Sequence, residues 1–269
     1  AGCAQEALAP LASPAGGDAQ PVISALRALG KGVAEPREGK PDEAFQGICR
    51  AVQQALGSPV GGDRAVFLAA VELCQASITQ MAPALSGLDI NMGLGKLFPT
   101  LMERTSASGA ADVKIGVFSD KLVQQLAKHP KIGCEAVTKM VISAIARTER
   151  ALRPLVLLRT LLSDYGLRLC AQRDVVSLLL GAVGGQLDRL GGTAPRGETG
   201  ENPDALRPQL VGVLTTVRQF SPETIQYCMS EVDPSYRKLC SEALREAPDP
   251  RLVALGATAA EQATIGHVA

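Results

Sequence analysis

The fold predicted for this sequence is an all-α solenoid of stacked helix pairs, and three observations carry that prediction. Apolar residues recur at helical spacing in one segment after another. Aromatic residues make up only 3% of the 269, with no Trp. Alternating apolar–polar runs joined by an Asn-Gly turn are absent from the sequence. Hydrophobic residues still reach 46%, so Leu, Ala and Val must fill the core. That composition suits helix-on-helix packing better than a sandwich, whose strands favour aromatic and β-branched side chains. A chain of this length buries a substantial core, as one large domain or two small ones.

Taken in order, residues 4–13 read as a short Ala/Leu helix, ended by Pro14, Ala15, Gly16 and Gly17. Asp18 is an N-cap candidate for a second helix over 20–33, and AEPREGKP at 34–41 is a linker by composition. Asp42 is expected to cap a third helix, with Phe45, Ile48, Cys49, Val52 and Leu56 on one face. After the break GSPVGG at 57–62, a helix over 63–82 places Val66, Phe67, Ala70, Leu73, Cys74, Ser77 and Ile78 on one side. Pro83 stands just past its end.

A turn-rich segment at 85–91 leads into residues 97–130, LFPTLMERTSASGAADVKIGVFSDKLVQQLAKHP. These read as a short apolar helix ending at Glu103 and Arg104, a small polar loop at 105–110, and a second helix. Asp112 and Lys114 open that second helix, and His129 and Pro130 close it.

Residues 134–146 form the next helix, with Val137, Met140, Val141 and Ala144, and RTER at 147–150 is a tight turn. In the helix at 151–165, Pro154 is tolerable only in the first turn, and Gly166 is a plausible residue just beyond the end. A helix at 171–190 is weakened at Gly181, Gly184 and Gly185. GGTAPRGETGENP at 191–203 is the most loop-like stretch. A helix at 204–220 carries Pro208 in its early turns. Ser221 and Pro222 then open a short helix with Ile225, Cys228 and Met229. Asp233 and Pro234 open the last, over 235–247. The domain is expected to span 1–247, with 248–269 as a C-terminal extension that holds one further helix or is flexible.

Twelve helices thus fall into six pairs with a period of roughly 30 to 50 residues, the mark of a HEAT or armadillo solenoid. Each pair has an apolar face that only a neighbouring pair can cover. A helical bundle is the structural alternative; the tight turns and near-regular period favour the stack.

Several function classes lose support. Lys+Arg and Asp+Glu both number 27 and the formal net charge is zero, so there is no global basic field for nucleic acid. No uninterrupted apolar run reaches the ~20 residues of a membrane span. Seven cysteines are scattered without a C-x-x-C, which reads as reduced, intracellular thiols that pack as small hydrophobes. The chain opens AGCAQ without an initiator Met and is read as a piece of a longer protein. Two histidines, His129 and His267, cannot supply a zinc triad. GLGK at 93–96 resembles a phosphate loop but fails as one: Leu97 stands where a hydroxyl is needed, and Ile90 replaces the first glycine. No nucleophile elbow or oriented Cys/His pair is found, so neither an enzyme nor a cofactor is expected.

What remains is a distribution of cations at the turns within pairs. Arg64 follows the break at 57–62, and Arg104 and Lys114 flank the loop at 105–110. Arg147, Arg150 and Arg153 cluster at the fourth turn, and Arg196 and Arg207 flank the fifth region. Arg237 and Lys238 follow Asp233 and Pro234. In a stack such turns align along one edge, where cations would steer an acidic partner. Glu103, Asp112, Glu149 and Asp204 lie among them, and local salt bridges are the competing account.

The helix–loop–helix at 97–130 resembles a HEAT repeat of a TOG domain. It is most similar to the single TOG domain of centrosomal and ciliary-tip proteins that track microtubule plus ends. VLLRTLLSDYG at 156–166 resembles the following repeat, and QYCMSEVDPSYRKLCSEAL at 226–244 the terminal one. The resemblance covers about residues 2–247. It implies six repeats stacked right-handedly into a flat paddle, and binding of the tubulin heterodimer or a microtubule end through the turns within repeats, here 13–18, 57–63, 105–111, 147–150, 189–203 and 231–234.

By position, the resemblance implies that Arg64, Arg104, Lys114, Arg147, Arg150, Arg207, Arg237 and Lys238 meet acidic tubulin. It further implies a cytoplasmic, cytoskeletal protein of the ciliary or flagellar tip or the centriole, monomeric as an isolated domain. Other ciliary or centrosomal partners remain open, and neither nucleic acid nor membrane is implied. One departure stands out: tubulin-binding TOG domains commonly present a Trp in the first turn, and here that turn is SPAGGD. An aromatic anchor is typically worth at least ~2 kcal/mol, so its loss weakens binding more than about tenfold. The alternative function is a HEAT scaffold that binds another protein, or itself, through an apolar ridge.

Overall fold

The computed structural model describes residues 18–33, 40–108, 113–191 and 203–246. The helix expected at 4–13, the linker at 34–39, most of the loop at 191–203 and the extension after 247 lie outside them. The described residues form eleven α-helices and no strand. They are α1 (Gln20–Val33), α2 (Pro41–Gly57), α3 (Arg64–Met81), α4 (Gly87–Ser108), α5 (Val113–Lys128) and α6 (Gly133–Arg147). Then follow α7 (Leu152–Cys170), α8 (Arg173–Gly191), α9 (Pro203–Phe220), α10 (Pro222–Glu231) and α11 (Pro234–Glu246). The chain is an all-α solenoid of helix pairs. It divides into two compact units, Ala1–Leu157 and Leu158–Ala269, the division falling within α7.

In the first unit the helices form two layers. α2, α4 and α6 are successive neighbours in one layer, and α1, α3 and α5 in the other. α2 and α4 run the same way, as do α3 and α5. Near the starts of α2 and α4, Gln46 Nε2 donates to the Asp89 carbonyl at 3.0 Å. Near their ends, Arg104 Nη2 donates to the carbonyls of Gly57 and Ser58 at 3.4 and 3.2 Å. In the other layer Gln75 Nε2 donates to Gln125 Oε1 at 2.9 Å, tying the latter halves of α3 and α5. The core between layers is aliphatic, with Phe45, Phe67 and Phe98 as its buried rings. Gly93 allows α2 and α4 to approach, because a Cβ there would stand 2.8 Å from the Phe45 ring and 3.0 Å from Cys49 Sγ.

Local sequence explains most helix ends. Asp63 Oδ1 caps α3, accepting from Ala65 N at 2.7 Å and Val66 N at 3.3 Å. Asp233 Oδ1 does the same for α11 through Ser235 N at 2.9 Å. Pro154 lies in the first turn of α7, and Pro222 begins α10. The third helix starts one residue before its expected cap. Lys40 is the N-cap and Pro41 the first helical residue, so Asp42 acts on the dipole of the first turn instead. The α3 segment with its 3₁₀ continuation, 21 residues at Arg64–Ala84, is long and apolar enough to cross a membrane by composition. Val66, Phe67, Ala70, Leu73, Cys74 and Ile78 are nevertheless buried, and α3 packs against α1, α2 and α5. It is a core helix.

Three expectations are corrected. The segment at 85–91 is not turn-rich throughout: α4 begins at Gly87 and runs 22 residues. Ser86 Oγ accepts from Asp89 N at 3.1 Å, a serine cap with an acid three residues on. The short helix does not end at Arg104 either. It continues to Ser108, with Thr105 buried and its hydroxyl donating to Leu101 O at 2.7 Å. GLGK therefore lies inside α4 rather than on a loop. Gly166 does not end α7, which continues to Cys170.

The second unit is described by itself. α8 packs on α10 and α11, and α9 on α11. Gly166 lets α7 meet the Phe220 ring, since a Cβ there would lie 2.3 Å from Cε2. Gly184 does the same for α8 and Tyr236, at 2.5 Å from its Cβ. These glycines, read from sequence as an end and as weak points, are close-approach sites inside continuous helices.

Candidate functional site: the turn edge

Because α2 and α4 run the same way, as do α3 and α5, the turns within successive pairs of the first unit share one edge. The turn between α2 and α3 is a 3₁₀ segment, Pro59–Gly62. Gly61 is required there, because a Cβ would stand 2.1 Å from the Leu56 carbonyl oxygen. Arg64, the first residue of α3, is exposed beside it. Arg104, from the end of α4, reaches to Gly57 and Ser58 and is half-buried. Its guanidinium sits on the C-terminal carbonyls of α2, where a cation is favoured by the helix dipole. Lys114, in the first turn of α5, is exposed.

At the turn between α6 and α7 the Thr148 hydroxyl accepts from Arg150 N at 3.1 Å. Arg147 and Arg150 are both exposed there. Arg153 is different: its Nη2 lies 2.6 Å from Asp120 Oδ2 on α5, with each side chain about one-third exposed. Burial pushes the Asp120 carboxyl up, and the charge and hydrogen bond of Arg153 pull the other way without cancelling it. A Cβ on Gly116 would stand 2.8 Å from Arg153 Nη2, so the glycine makes room for this pair.

In the second unit, Arg207 grips Glu246 with both arms of its guanidinium, Nη2 to Oε1 at 2.7 Å and Nε to Oε2 at 3.1 Å. That bond holds the Glu246 carboxyl below its ordinary range. Arg237 Nη2 donates to the carbonyls of Ser230 at 2.6 Å and Val232 at 3.2 Å, covering the end of α10. Lys238 is exposed. Of the eight cations named from sequence, Arg104, Arg207 and Arg237 therefore hold the chain's own carbonyls or carboxylate. Arg147, Arg150 and Lys238 are exposed; Arg64 and Lys114 are exposed as well and also interact within the chain.

Sequence reasoning missed Lys131. It follows α5, and its Nζ donates to three carbonyls past the end of α3, those of Ala82, Pro83 and Leu85, at 2.9, 2.8 and 2.9 Å. It also missed Leu88 and Met92, one turn apart on α4 and 70% and 50% exposed. A capping serine at Ser86 with Asp89 three residues on was the available signal that this stretch is helical. Among the described residues no three His, Cys, Asp or Glu side chains converge as a metal site.

The helix pairs, and the turn edge they share within the first unit, are those of a HEAT-type solenoid. No protein-family model matches the chain, and no curated protein does. Among solved structures it is similar to the TOG domain of human Cep104, at 18% identity and a TM-score of 0.58, covering 85% of each chain. A second solved CEP104 TOG domain is 19% identical with a TM-score of 0.57, covering 88% of this chain and 90% of that one. The chain thus has the TOG-domain fold.

Proposed function

We propose that this chain is a tubulin-binding domain that uses the turn edge of its helix pairs to take up the tubulin heterodimer. It acts at microtubule plus ends or ciliary tips, where it assists tubulin incorporation. The observation that supports the reading most directly is the pair Arg147 and Arg150, both exposed at the turn between α6 and α7. They share an edge with Arg64 and Lys114 in the same unit. In the second unit, taken by itself, Lys238 is the exposed cation that we assign to tubulin, with Arg207 and Arg237 shaping that unit's surface through their internal bonds. Arg104 has the same supporting role in the first. The domain is taken to span 1–247, with 248–269 as an extension, and the protein to be cytoskeletal, at the ciliary or flagellar tip or the centriole.

The test is co-migration with purified tubulin on size exclusion at low ionic strength, for the chain and for R147E/R150E. The expected outcome is a shifted complex that weakens with salt and a loss of about tenfold or more in the variant, the scale of two reversed rim charges. No shift at tens of micromolar protein, or an unchanged variant, would overturn the reading.

A non-tubulin scaffold is the second reading, and exposed Leu88 and Met92 favour it. It expects self-association by light scattering that L88S/M92S abolishes. A monomer at every concentration counts against the self-associating form.

A further inference from the structure

Helix α5 carries Lys114, Lys121 and Lys128, each seven residues from the next, and all three are exposed. A heptad step returns a helix to within about 20° of the same direction, so the three ammonium groups form one row on the solvent face. Successive members are about 10.5 Å apart and the row is about 21 Å long. Ile115, Leu122, Val123 and Leu126 are buried on the opposite side, so the row cannot turn inward without dismantling the core.

Val117 lies between the first two lysines and is 43% exposed. Lys121 Nζ stands 5.8 Å from the centroid of the Phe118 ring, which leaves the charge at the surface above an apolar base. The single acid of α5, Asp120, is engaged by Arg153. Just before α3, packed beside it, Asp63 is committed to its cap, and Glu72 is the exposed acid further along α3. Lys114 also has a partner within the chain, so Lys121 and Lys128 are the principal charges of the row.

We infer that this face of α5 is a docking track for an extended acidic peptide segment. A chain in the polyproline II conformation rises about 3.1 Å per residue with three residues per turn, so carboxylates at every third position line one side of it about 9 Å apart, close to the spacing of the lysines. Roughly seven residues cover the row. Lysine is a compact, hydrated point charge without a fixed fork, suited to carboxylates on a mobile chain. A nucleic-acid track would call for denser charge and exposed rings for stacking, and α5 presents no exposed ring. The row begins at the turn edge with Lys114 and leaves it. Lys121 and Lys128 therefore act independently of whether that edge takes up tubulin.

The probe is a fluorescent peptide of about nine residues with Glu at every third position and Ser, Gly or Val between, read by anisotropy against the whole chain. Variants are K121E/K128E, the milder K121Q/K128Q, and K96E as a control on α4 in the other layer. The expected result is binding that falls steeply with salt. It should weaken about tenfold or more in K121E/K128E and less in K121Q/K128Q, and hold in K96E, the scale of two exposed ion pairs. Equal loss in K96E, no binding at low salt, or stronger binding of a single-stranded oligonucleotide of matching charge would each overturn the proposal. The R147E/R150E variant should bind the peptide normally, which separates a failure of this track from a failure of the turn edge.

Discussion

Arg104 is assigned to the fold, in contrast to the binding role proposed for Arg147 and Arg150. Replacing it with Ala removes two hydrogen bonds from a guanidinium to the carbonyls that end α2, at 3.4 and 3.2 Å. Bonds to charged groups are worth about 1.5–3 kcal/mol when short and buried. These are long, and the side chain is half exposed, so about 1 kcal/mol is the expected loss. For a protein of this size that lowers Tm by about 2–4 °C. R104K should lose only part of this, because Nη2 alone makes both bonds and an ammonium can also donate to two carbonyls, though from a shorter stem. The assay pairs thermal unfolding by circular dichroism with tubulin co-migration. R104A should melt lower and bind almost normally, whereas R147E/R150E should melt normally and bind poorly. An R104A protein with unchanged melting and sharply reduced binding would refute the assignment of Arg104 to the fold.

Three further outcomes are expected. G166A should destabilise the second unit by about 1–2 kcal/mol, because overpacking against Phe220 outweighs the helix propensity gained; in an F220A background, denaturant unfolding should show the same change as neutral or stabilising. Glu246 and Asp233 have carboxyls held below their ordinary range, chiefly by Arg207 and by the Ser235 hydroxyl. Their contribution is complete above the ordinary carboxylate range and is lost as pH falls through the lowered values. Melting followed from neutral pH downward should therefore lose stability, and E246Q and D233N should each flatten that limb. Finally, burial pushes the Cys49 thiol up to about 12 and those of Cys170 and Cys240 to about 11. In a C3S background, Ellman's reagent should react with the native chain only as fast as it opens, and at once in guanidinium.

The legible parts of the fold were those written locally. Asp63, Ser221 with Pro222, and Asp233 with Pro234 marked helix starts because caps and first-turn prolines act within a few residues. Glycines were harder, since one residue type serves two purposes. Gly166 looks like a helix end from its neighbours in sequence, and only Phe220, far along the chain, explains it as a packing site. At the edge, position was readable and employment was not. The period places Arg104, Arg147 and Arg150 at turns, but whether a guanidinium meets a partner or a carbonyl depends on the adjacent repeat. Arg104 finds Gly57 and Ser58 because α2 and α4 run in parallel. Arg147 is exposed at the end of its own helix.

Lys131 and Arg104 tie the same two helix pairs together, one at each edge: Arg104 beside the turn between α2 and α3, Lys131 beside the exit of α3. Hinging about either edge must break one of these cation–carbonyl contacts. The pairs are therefore braced against fanning open or closed, and the turns they carry are held at fixed spacing before any partner arrives. Association along such an edge forfeits little conformational freedom, so modest contacts can suffice where a large aromatic anchor is missing.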